Sequence, residues 1–250
     1  MKTYQVGGSV RDELLGVEPH DKDWVVVGSS PEEMIEAGFK PIGKDFPVFL
    51  HPDTKEEYAL ARTERKSGKG YHGFKFYYDP SVTLEDDLLR RDLTINAIAK
   101  DSQGKLIDPF NGQDDLFNKK LRNVSDAFFE DPLRAIRLGR FLSYKHISGF
   151  SITPQLKAIV KKILDSGELN YLSGDRVFAE IDKAMQNHFP EKFFNFVVEN
   201  KLDKPWLKDI NSLDSFSATN SDLRWVELSC LNHFTDFDQI PLPSKIKKLI

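Results

Sequence analysis

The stretch GGSVRD at residues 7–12, together with DKDWVVV at residues 21–27, decides the fold of this chain. It follows a short predicted strand, Thr3–Val6, and its glycines lead into a helix predicted at Val10–Leu15. The valine-rich run Asp23–Gly28 has the pattern of a buried strand. A strand, a glycine turn, a helix and a second strand predict an α/β or α+β core.

The glycines and the aspartates of this stretch form the first candidate site. Gly7 and Gly8 let the backbone approach a ligand closely and direct its N–H groups at phosphate, and Arg11 can add a charge-assisted hydrogen bond. We place Asp21 and Asp23 two residues apart on one strand, so that both carboxylates point to one face and suit a divalent cation. A glycine turn or an Asp-x-Asp pair alone is usually structural. Their succession favours a phosphate and metal site.

Further elements of the same core follow along the chain. The order Ser30-Pro31-Glu32-Glu33 predicts the capped start of a helix. Two strands, Phe46–His51 and Glu57–Ala61, are predicted to pair antiparallel. The glycine-rich and basic segment between Thr63 and Ser81 is typical of a mobile loop.

The predicted strands give way to helices in the second half of the chain. A helix near Thr83 is predicted to carry RRD at residues 90–92, and a second hairpin joins Ile95–Ala99 to Lys105–Ile107. From Asp131 onward helical periodicity dominates. The predicted helices are Pro132–Phe141, Pro154–Leu164, Arg176–Gln186 and Lys192–Asn200.

The composition indicates a globular protein, with 40% hydrophobic residues. No apolar run approaches membrane-spanning length, and the first residues lack a signal segment, so we expect a cytoplasmic protein. The single cysteine, Cys230, excludes an internal disulfide.

A net charge of −4 counts mildly against a nucleic-acid partner. Basic residues nevertheless cluster between Lys119 and Lys145, and such a region can bind phosphates.

Two arginines precede the second predicted hairpin. For Arg90 we favour a solvated position on a helix face. Arg91 adjoins polar residues that come directly before a buried strand, so it is a candidate phosphate ligand.

The third candidate group is Glu130-Asp131-Pro132-Leu133-Arg134. Asp131 before proline is typical of a helix cap, and Arg134 shares its helix face. Cytosine and adenine each show an amino donor beside a ring acceptor, whereas guanine and uracil show the reverse order. A carboxylate next to a guanidinium could therefore select C and A without a template, although an ordinary ion pair is the simpler alternative. Arg137 and Arg140 extend the basic face toward a triphosphate.

In this order the motifs resemble the class II tRNA nucleotidyltransferases and poly(A) polymerases, and especially the bacterial CCA-adding enzymes. The similarity extends from Gly7 to Phe141 and weakens toward Asn200. Each motif alone is unspecific, and their combination is specific. The residues that carry the resemblance are Gly7-Gly8-Ser9-Val10-Arg11-Asp12, Asp21-Lys22-Asp23, Arg90-Arg91-Asp92, Asp108-Pro109-Phe110-Asn111-Gly112 and Glu130-Asp131-Pro132-Leu133-Arg134.

The resemblance implies an α+β fold, in which a polymerase-β-like nucleotidyltransferase head with a mixed sheet precedes an all-helical neck and body. We expect the head at residues 1–122 and the helical part at 123–250. The activity implied is addition of CCA to the 3′ end of tRNA from CTP and ATP, with release of pyrophosphate. The partners implied are tRNA and the two nucleotides, and no membrane association is expected. The oligomeric state is open, with a monomer favoured.

The resemblance also assigns roles to residues. Asp21 and Asp23 would bind two Mg²⁺ ions and act as the catalytic carboxylates, with Glu57 as a possible third. Asp131 and Arg134 would read the base, and Asp108 and Gly112 match a segment that hinges head against neck. The residues implied in binding the triphosphate and sugar are Gly8, Arg11, Arg91, Arg137 and Arg140.

Alternatives within the family remain open. Enzymes that add only CC lack a loop like Thr63–Ser81, and poly(A) polymerases carry two basic residues where this chain has Gly43-Lys44-Asp45-Phe46. Both features favour full CCA addition over poly(A) or partial addition. The only His-Asp pair is His20-Asp21, and the chain ends at Ile250, so no phosphohydrolase domain is expected. The body is short, and Arg176 with Lys183, Lys245, Lys247 and Lys248 could compensate for the missing tRNA contacts, although lysines on helices are usually solvated. An inactive tRNA-binding relative is a further alternative.

Overall fold

The computed structural model describes residues 1–42, 47–66, 74–207, 210–211, 213–232 and 239–250. Among these, two compact units can be distinguished. The first comprises residues 1–66, 74–130 and 151–156, and the second comprises residues 131–150 and 157–250, with the gaps just given.

The first unit is built on a seven-stranded mixed sheet with the order β3-β4-β5-β2-β1-β8-β9. The pair β2 and β5 is parallel, and the other neighbouring pairs are antiparallel. This architecture confirms the predicted α+β class with a mixed sheet. The strands of the chain are β1 Lys2–Val6, β2 Asp23–Val27, β3 Lys40–Pro41, β4 Val48–Leu50, β5 Glu57–Leu60, β6 Thr63–Lys66, β7 Phe74–Tyr77, β8 Ala99–Lys100, β9 Leu106–Ile107, β10 Lys120–Leu121 and β11 Ser151–Ile152.

The helices lie between these strands and fill the second half of the chain. The helix after Ser30 has the predicted capping box, because Ser30 and Glu33 satisfy each other's backbone N–H groups. The helices are α1 Gly8–Leu14, α2 Pro31–Glu36, α3 Leu84–Leu89, α4 Gly112–Phe117, α5 Leu133–Ser143, α6 Pro154–Ser166, α7 Gly174–Gln186, α8 Pro190–Glu199, α9 Ser221–Asn232 and α10 Ser244–Lys247. No described helix is long and apolar enough to cross a membrane.

The valines of β2 bury both faces of the sheet. Val25 belongs to a cluster with Val6 and Leu88, whereas Val26 packs with Met34 and aromatic side chains. Successive strand residues point to opposite faces, so neighbouring valines fill two separate layers. Each buried valine contributes roughly 1.5–3 kcal/mol to stability. The predicted buried strand is therefore the centre of the first unit.

The pairing of β1 with β2 determines where the glycine turn lies. Val6, the last residue of β1, is opposite Asp23, the first residue of β2. Gly7 follows directly and precedes α1, so the turn lies beside the start of β2. On its other side β2 pairs with β5, and Asp23 is opposite Glu57.

The segment predicted as a mobile loop contains two strands where the structure describes it. Strand β6 pairs antiparallel with β7, with Thr63 opposite Tyr77. The loop prediction was wrong for these residues, because the glycines and lysines between them outweighed the aromatic run Phe74–Tyr77, which favours a strand. Residues 67–73 lie outside the described residues, as does the whole Gly43–Phe46 motif, on which the implied distinction from poly(A) polymerases depends.

Other element boundaries also differ from the predictions. Helix α3 ends at Leu89, with Arg90 at its C-cap, so Arg91 follows the helix. Thr94–Asn96 forms a 3₁₀ turn, and the strand predicted from Ile95 begins only at Ala99. The region after residue 131 was predicted to be helical, but it also contains the short strand β11, which pairs in parallel with β10.

The second unit contains the predicted helices with shifted ends. Helix α5 lies against α8 at Gly139, where an added Cβ would lie 3.0 Å from the Phe196 ring and 3.2 Å from the Phe193 ring. A glycine there allows close helix packing. Arg224 of α9 donates to the carbonyl oxygens of Met185 and Asn187, at the end of α7. These hydrogen bonds satisfy carbonyls that the end of a helix leaves unpaired.

Helix α4 is held tightly against the 3₁₀ turn. Asp108 accepts hydrogen bonds from the N–H groups of Gly112 and Gln113 at 2.7 and 2.9 Å. A Cβ at Gly112 would lie only 2.2 Å from the Thr94 carbonyl oxygen. Asp108 and Gly112 thus anchor a helix inside the first unit, and their implied hinge role stays a prediction.

Gly112→Ala should destabilise the protein by about 3 kcal/mol or more, because the new methyl group overlaps backbone. Gly104→Ala is the control. Its φ of +82° is strained for alanine but its Cβ meets open space, so a cost of about 1 kcal/mol is expected. Thermal unfolding followed by circular dichroism measures both. Equal costs would contradict the packing argument.

Candidate functional site

The glycine turn brings an arginine and an aspartate together. Gly7 has φ of +75°, a left-handed conformation that favours glycine. A Cβ at this position would lie 3.0 Å from Arg91 Nη1 and 3.8 Å from Asp23 Oδ2. Gly7, Asp23 and Arg91 therefore border one small space. A backbone turn, a cation and a carboxylate around such a space can receive a phosphate together with a metal ion.

Arg11 is held in a buried network below this turn. Its guanidinium is 4% exposed, pairs with Asp12 at 2.7 Å and donates to Asn96 Oδ1 at 2.8 Å. Asn96 in turn donates to Asp92. A Cβ at Gly8 would lie 3.3 Å from Arg11 Nη2, so the helix start and the guanidinium are in close contact. Arg11 is fixed by hydrogen bonds, and its predicted contact with a phosphate stays a prediction.

A carboxylate that the sequence analysis missed holds both arginines of the RRD motif. Asp87 is fully buried, with Oδ1 2.8 Å from Arg90 Nη2 and Oδ2 3.0 Å from Arg91 Nη2. Burial alone would raise the pKa of Asp87, but the charges and hydrogen bonds of Arg90 and Arg91 lower it to about 2. Arg90 is therefore not a solvated helix residue as predicted. The spacing of three and four residues between Asp87 and the arginines was the available signal.

Arg90 also connects this pair to the β6–β7 hairpin. It bonds Glu64 at 2.7 Å and donates to the carbonyl oxygen of Arg62. Arg62 lies over the Phe76 ring, 5.2 Å from its centroid. Burial, followed by repulsion from Arg90, lowers the pKa of Arg62 to about 10. The hairpin and α3 thus share one buried charge network.

The two predicted metal ligands differ in their surroundings. Asp23 begins β2, but Asp21 lies in the bend before the strand, so the prediction of both on one strand was wrong. Both carboxylates are exposed. Glu57 is opposite Asp23 in the parallel register. No group of three or more potential metal ligands occurs within the described ranges, so Glu57 does not complete a preformed cluster.

In the second unit, Asp131 is held at the start of α5. Its Oδ1 accepts the Leu133 N–H at 3.2 Å, and its Oδ2 pairs with Arg176 at 2.8 Å. The helix begins one residue later than predicted, and Pro132 occupies the cap position. Arg134 is on the first turn of α5 and buried, and its N–H bonds the Asp131 carbonyl oxygen. Arg176 fixes the Asp131 carboxylate, and its contact with tRNA, considered above, stays a prediction.

A second carboxylate, which was not predicted from the sequence, pairs with Arg137 and Arg140 of α5. Glu180, buried on α7, bonds Arg140 Nε at 2.5 Å and Arg137 Nη1 at 3.2 Å. Arg140 also donates to the Tyr144 hydroxyl at 2.5 Å. The sequence separation of about 40 residues gives no local signal of this pairing. One buried carboxylate thus bonds two arginines of the same helix.

Comparison with known proteins places this arrangement in a family. The family described as "Poly A polymerase head domain" matches residues 3–122. The CCA-adding enzyme of Marinobacter nauticus is 57% identical over 80% of this chain and 53% of its own length. Residues 3–122 belong to this family of nucleotidyltransferase head domains. Members of this nucleotidyltransferase family generally use divalent metal ions.

Solved structures of this nucleotidyltransferase family share the fold. The CCA-adding enzyme of Bacillus stearothermophilus in complex with CTP has a TM-score of 0.81 and 25% identity, over 98% of this chain and 63% of the other. A tRNA nucleotidyltransferase complexed with a primer tRNA and an incoming ATP analog has a TM-score of 0.66 and 26% identity, over 94% of this chain and 68% of the other. The chain spans about half the length of the curated relatives it matches.

The low pKa of Asp87 predicts a pH-dependent contribution to stability. Because its folded pKa of about 2 is below the ordinary 3.8, the contribution is present above pH 4 and is lost as the pH falls toward 2. It amounts to about 2 kcal/mol, of which about half is lost by pH 3. Urea unfolding at pH 7 and pH 3 should show the stability gap between wild type and Asp87→Asn narrowing by about 1 kcal/mol. An unchanged gap contradicts the pairing.

Proposed function

We propose that this chain catalyses template-independent addition of CCA to the 3′ end of tRNA, using CTP and ATP and releasing pyrophosphate. The observation that carries the proposal is the convergence of Gly7, Asp23 and Arg91 in a chain of this nucleotidyltransferase family. The 57% identical relative is named a CCA-adding enzyme, and similar structures contain CTP, an ATP analog or a primer tRNA. We infer that tRNA and the two nucleotides are the partners here, and that the protein acts in the cytoplasm.

We propose Mg²⁺ as the cofactor, with Asp21 and Asp23 as its ligands and Glu57 as a possible third. The fit rests on the exposed carboxylate of Asp23 beside the Gly7 turn, because hard oxygen donors next to a phosphate site suit this ion. When bound, it supplies charge stabilisation for attack of a 3′-hydroxyl on the α-phosphate. Arg91 and the Gly8 backbone would orient the phosphates from the same side.

We further propose residues 1–122 as the catalytic head and 123–250 as a neck and body that select the nucleotide. Asp131 and Arg134 would read the base. Arg176 and the Leu133 N–H restrict the Asp131 carboxylate to one orientation, which a rigid hydrogen-bond template needs. Arg11, Arg137 and Arg140 would bind the triphosphate and sugar. Glu180 fixes Arg137 and Arg140 side by side on α5, which supports such a role.

The activity can be tested with labelled CTP and ATP, Mg²⁺ and a tRNA that lacks its CCA end. The wild type should extend the tRNA by CCA, and Asp23→Asn should lower the rate about 10³-fold, because the lost charge weakens metal binding. Asp53→Asn removes an exposed carboxylate from a turn and should have no effect.

Sequencing of the extended 3′ ends separates the alternatives. A long A tail indicates a poly(A) polymerase, and a halt after CC indicates partial addition. Absence of any incorporation by folded protein, with tRNA binding retained, indicates an inactive tRNA-binding relative. Each of these outcomes overturns the proposal.

Base selection can be tested with Asp131→Ala. Loss of its carboxylate should raise misincorporation of UTP or GTP relative to CTP about 10- to 100-fold, because the wrong base no longer faces a mismatched acceptor. Asp165→Ala, an exposed position on α6, serves as the control. Unchanged rejection of UTP and GTP would exclude Asp131 as a base-reading residue.

A further inference from the structure

Helix α3 places a fully buried carboxylate behind the site. Each oxygen of Asp87 has a separate role. Oδ1 accepts hydrogen bonds from Arg90 and from the backbone N–H of Arg62, whereas Oδ2 accepts a hydrogen bond from Arg91 Nη2 at 3.0 Å. One oxygen thus joins the hairpin and the helix, and the other holds the arginine of the site.

The guanidinium of Arg91 depends on this one carboxylate. Within the described ranges of the chain, Asp87 is its hydrogen-bond partner, and its Nε is buried without a partner. Its Nη1 lies near the Gly7 turn and Asp23 Oδ2. Nη1 therefore points to the space where we propose the phosphates, while Nη2 is fixed from behind. An arginine side chain has several rotatable bonds, so without this anchor its orientation would be poorly defined.

The anchor itself is rigid. The capping box between Thr83 and Asp86 fixes the start of α3, and Asp87 lies in its first turn. Arg90, at the end of the same helix, bonds Asp87 Oδ1 and Glu64. A carboxylate that is held by a second arginine can direct the first without moving.

We propose that Asp87 is a positioning residue for nucleotidyl transfer, which acts by orienting Arg91 toward the triphosphate. This inference rests on the proposed function, and specifically on a phosphate beside Gly7 and Asp23. Asp87 does not touch the substrate. Its contribution should therefore disappear when Arg91 is absent, whereas a merely structural contribution would persist.

A double-mutant cycle tests this dependence through kcat and KM for CTP. Asp87→Asn should lower kcat/KM about 10- to 100-fold in the wild type. In the Arg91→Ala background the same change should lower it less than about 3-fold. Glu85→Gln, an exposed position on the same helix, removes an equal charge and should leave kcat/KM unchanged. Equal losses from Asp87→Asn in both backgrounds, or no loss in the wild type, would overturn the proposal.

Asp87→Glu covers the case in which Asp87→Asn does not fold. It keeps the charge that the arginines require and moves the carboxylate by one methylene, so folded protein with a reduced kcat/KM supports positioning. Wild-type kcat/KM for this variant would refute it.

A binding measurement separates this proposal from the proposed function. The affinity for CTP, measured by calorimetry for the same four proteins, should show the same non-additivity even if no nucleotide is transferred to tRNA. If CTP binds and the cycle is non-additive without transfer, the proposed function fails and the role of Asp87 stands. If transfer occurs and the cycle is additive, only the role of Asp87 fails.

Discussion

The close approach of the Gly7 turn to Arg91 and Asp23 is the constraint on which the site depends. Antiparallel pairing of β1 with β2 puts Val6 beside Asp23, and the chain must then turn within one residue to begin α1. A Cβ at Gly7 would lie 3.0 Å from Arg91 Nη1, and the positive φ of this residue disfavours any amino acid with a side chain. Backbone, cation and carboxylate meet because the turn has no Cβ.

Buried arginines need carboxylate partners, and this requirement organises both units. Asp87 forms ion pairs with Arg90 and Arg91 in the first unit, and Glu180 forms ion pairs with Arg137 and Arg140 in the second. Removing charges from water is costly unless they are paired, so each buried cluster contains a compensating acid. In each cluster one carboxylate bonds two arginines, and Arg90 bonds Glu64 as well, so basic residues are concentrated locally in a protein whose net charge is negative. The total charge therefore conceals sites that suit phosphate.

Local patterns predicted the fold well where one periodicity was strong. The valine run of β2, the capping box of α2 and the helices α5 to α8 are all present with ends shifted by a few residues. The prediction failed where short strands carried mixed signals. The β6–β7 hairpin was obscured by the glycines and lysines between its strands, and β11 is only two residues long and gains its stability from pairing with β10.

The sequence by itself determined the candidate residues, since glycines, paired acids and arginines in this order have few other uses. It also determined the α+β class, because period-2 and period-3.6 hydrophobicity are local properties. Only the tertiary structure decided which charges meet. It showed that Asp131 pairs with Arg176 and that Asp21 lies before the strand. It also showed that Glu180 and Asp87 each bond two arginines. Such pairings depend on burial and on contacts between elements distant in the chain, and no local pattern encodes them.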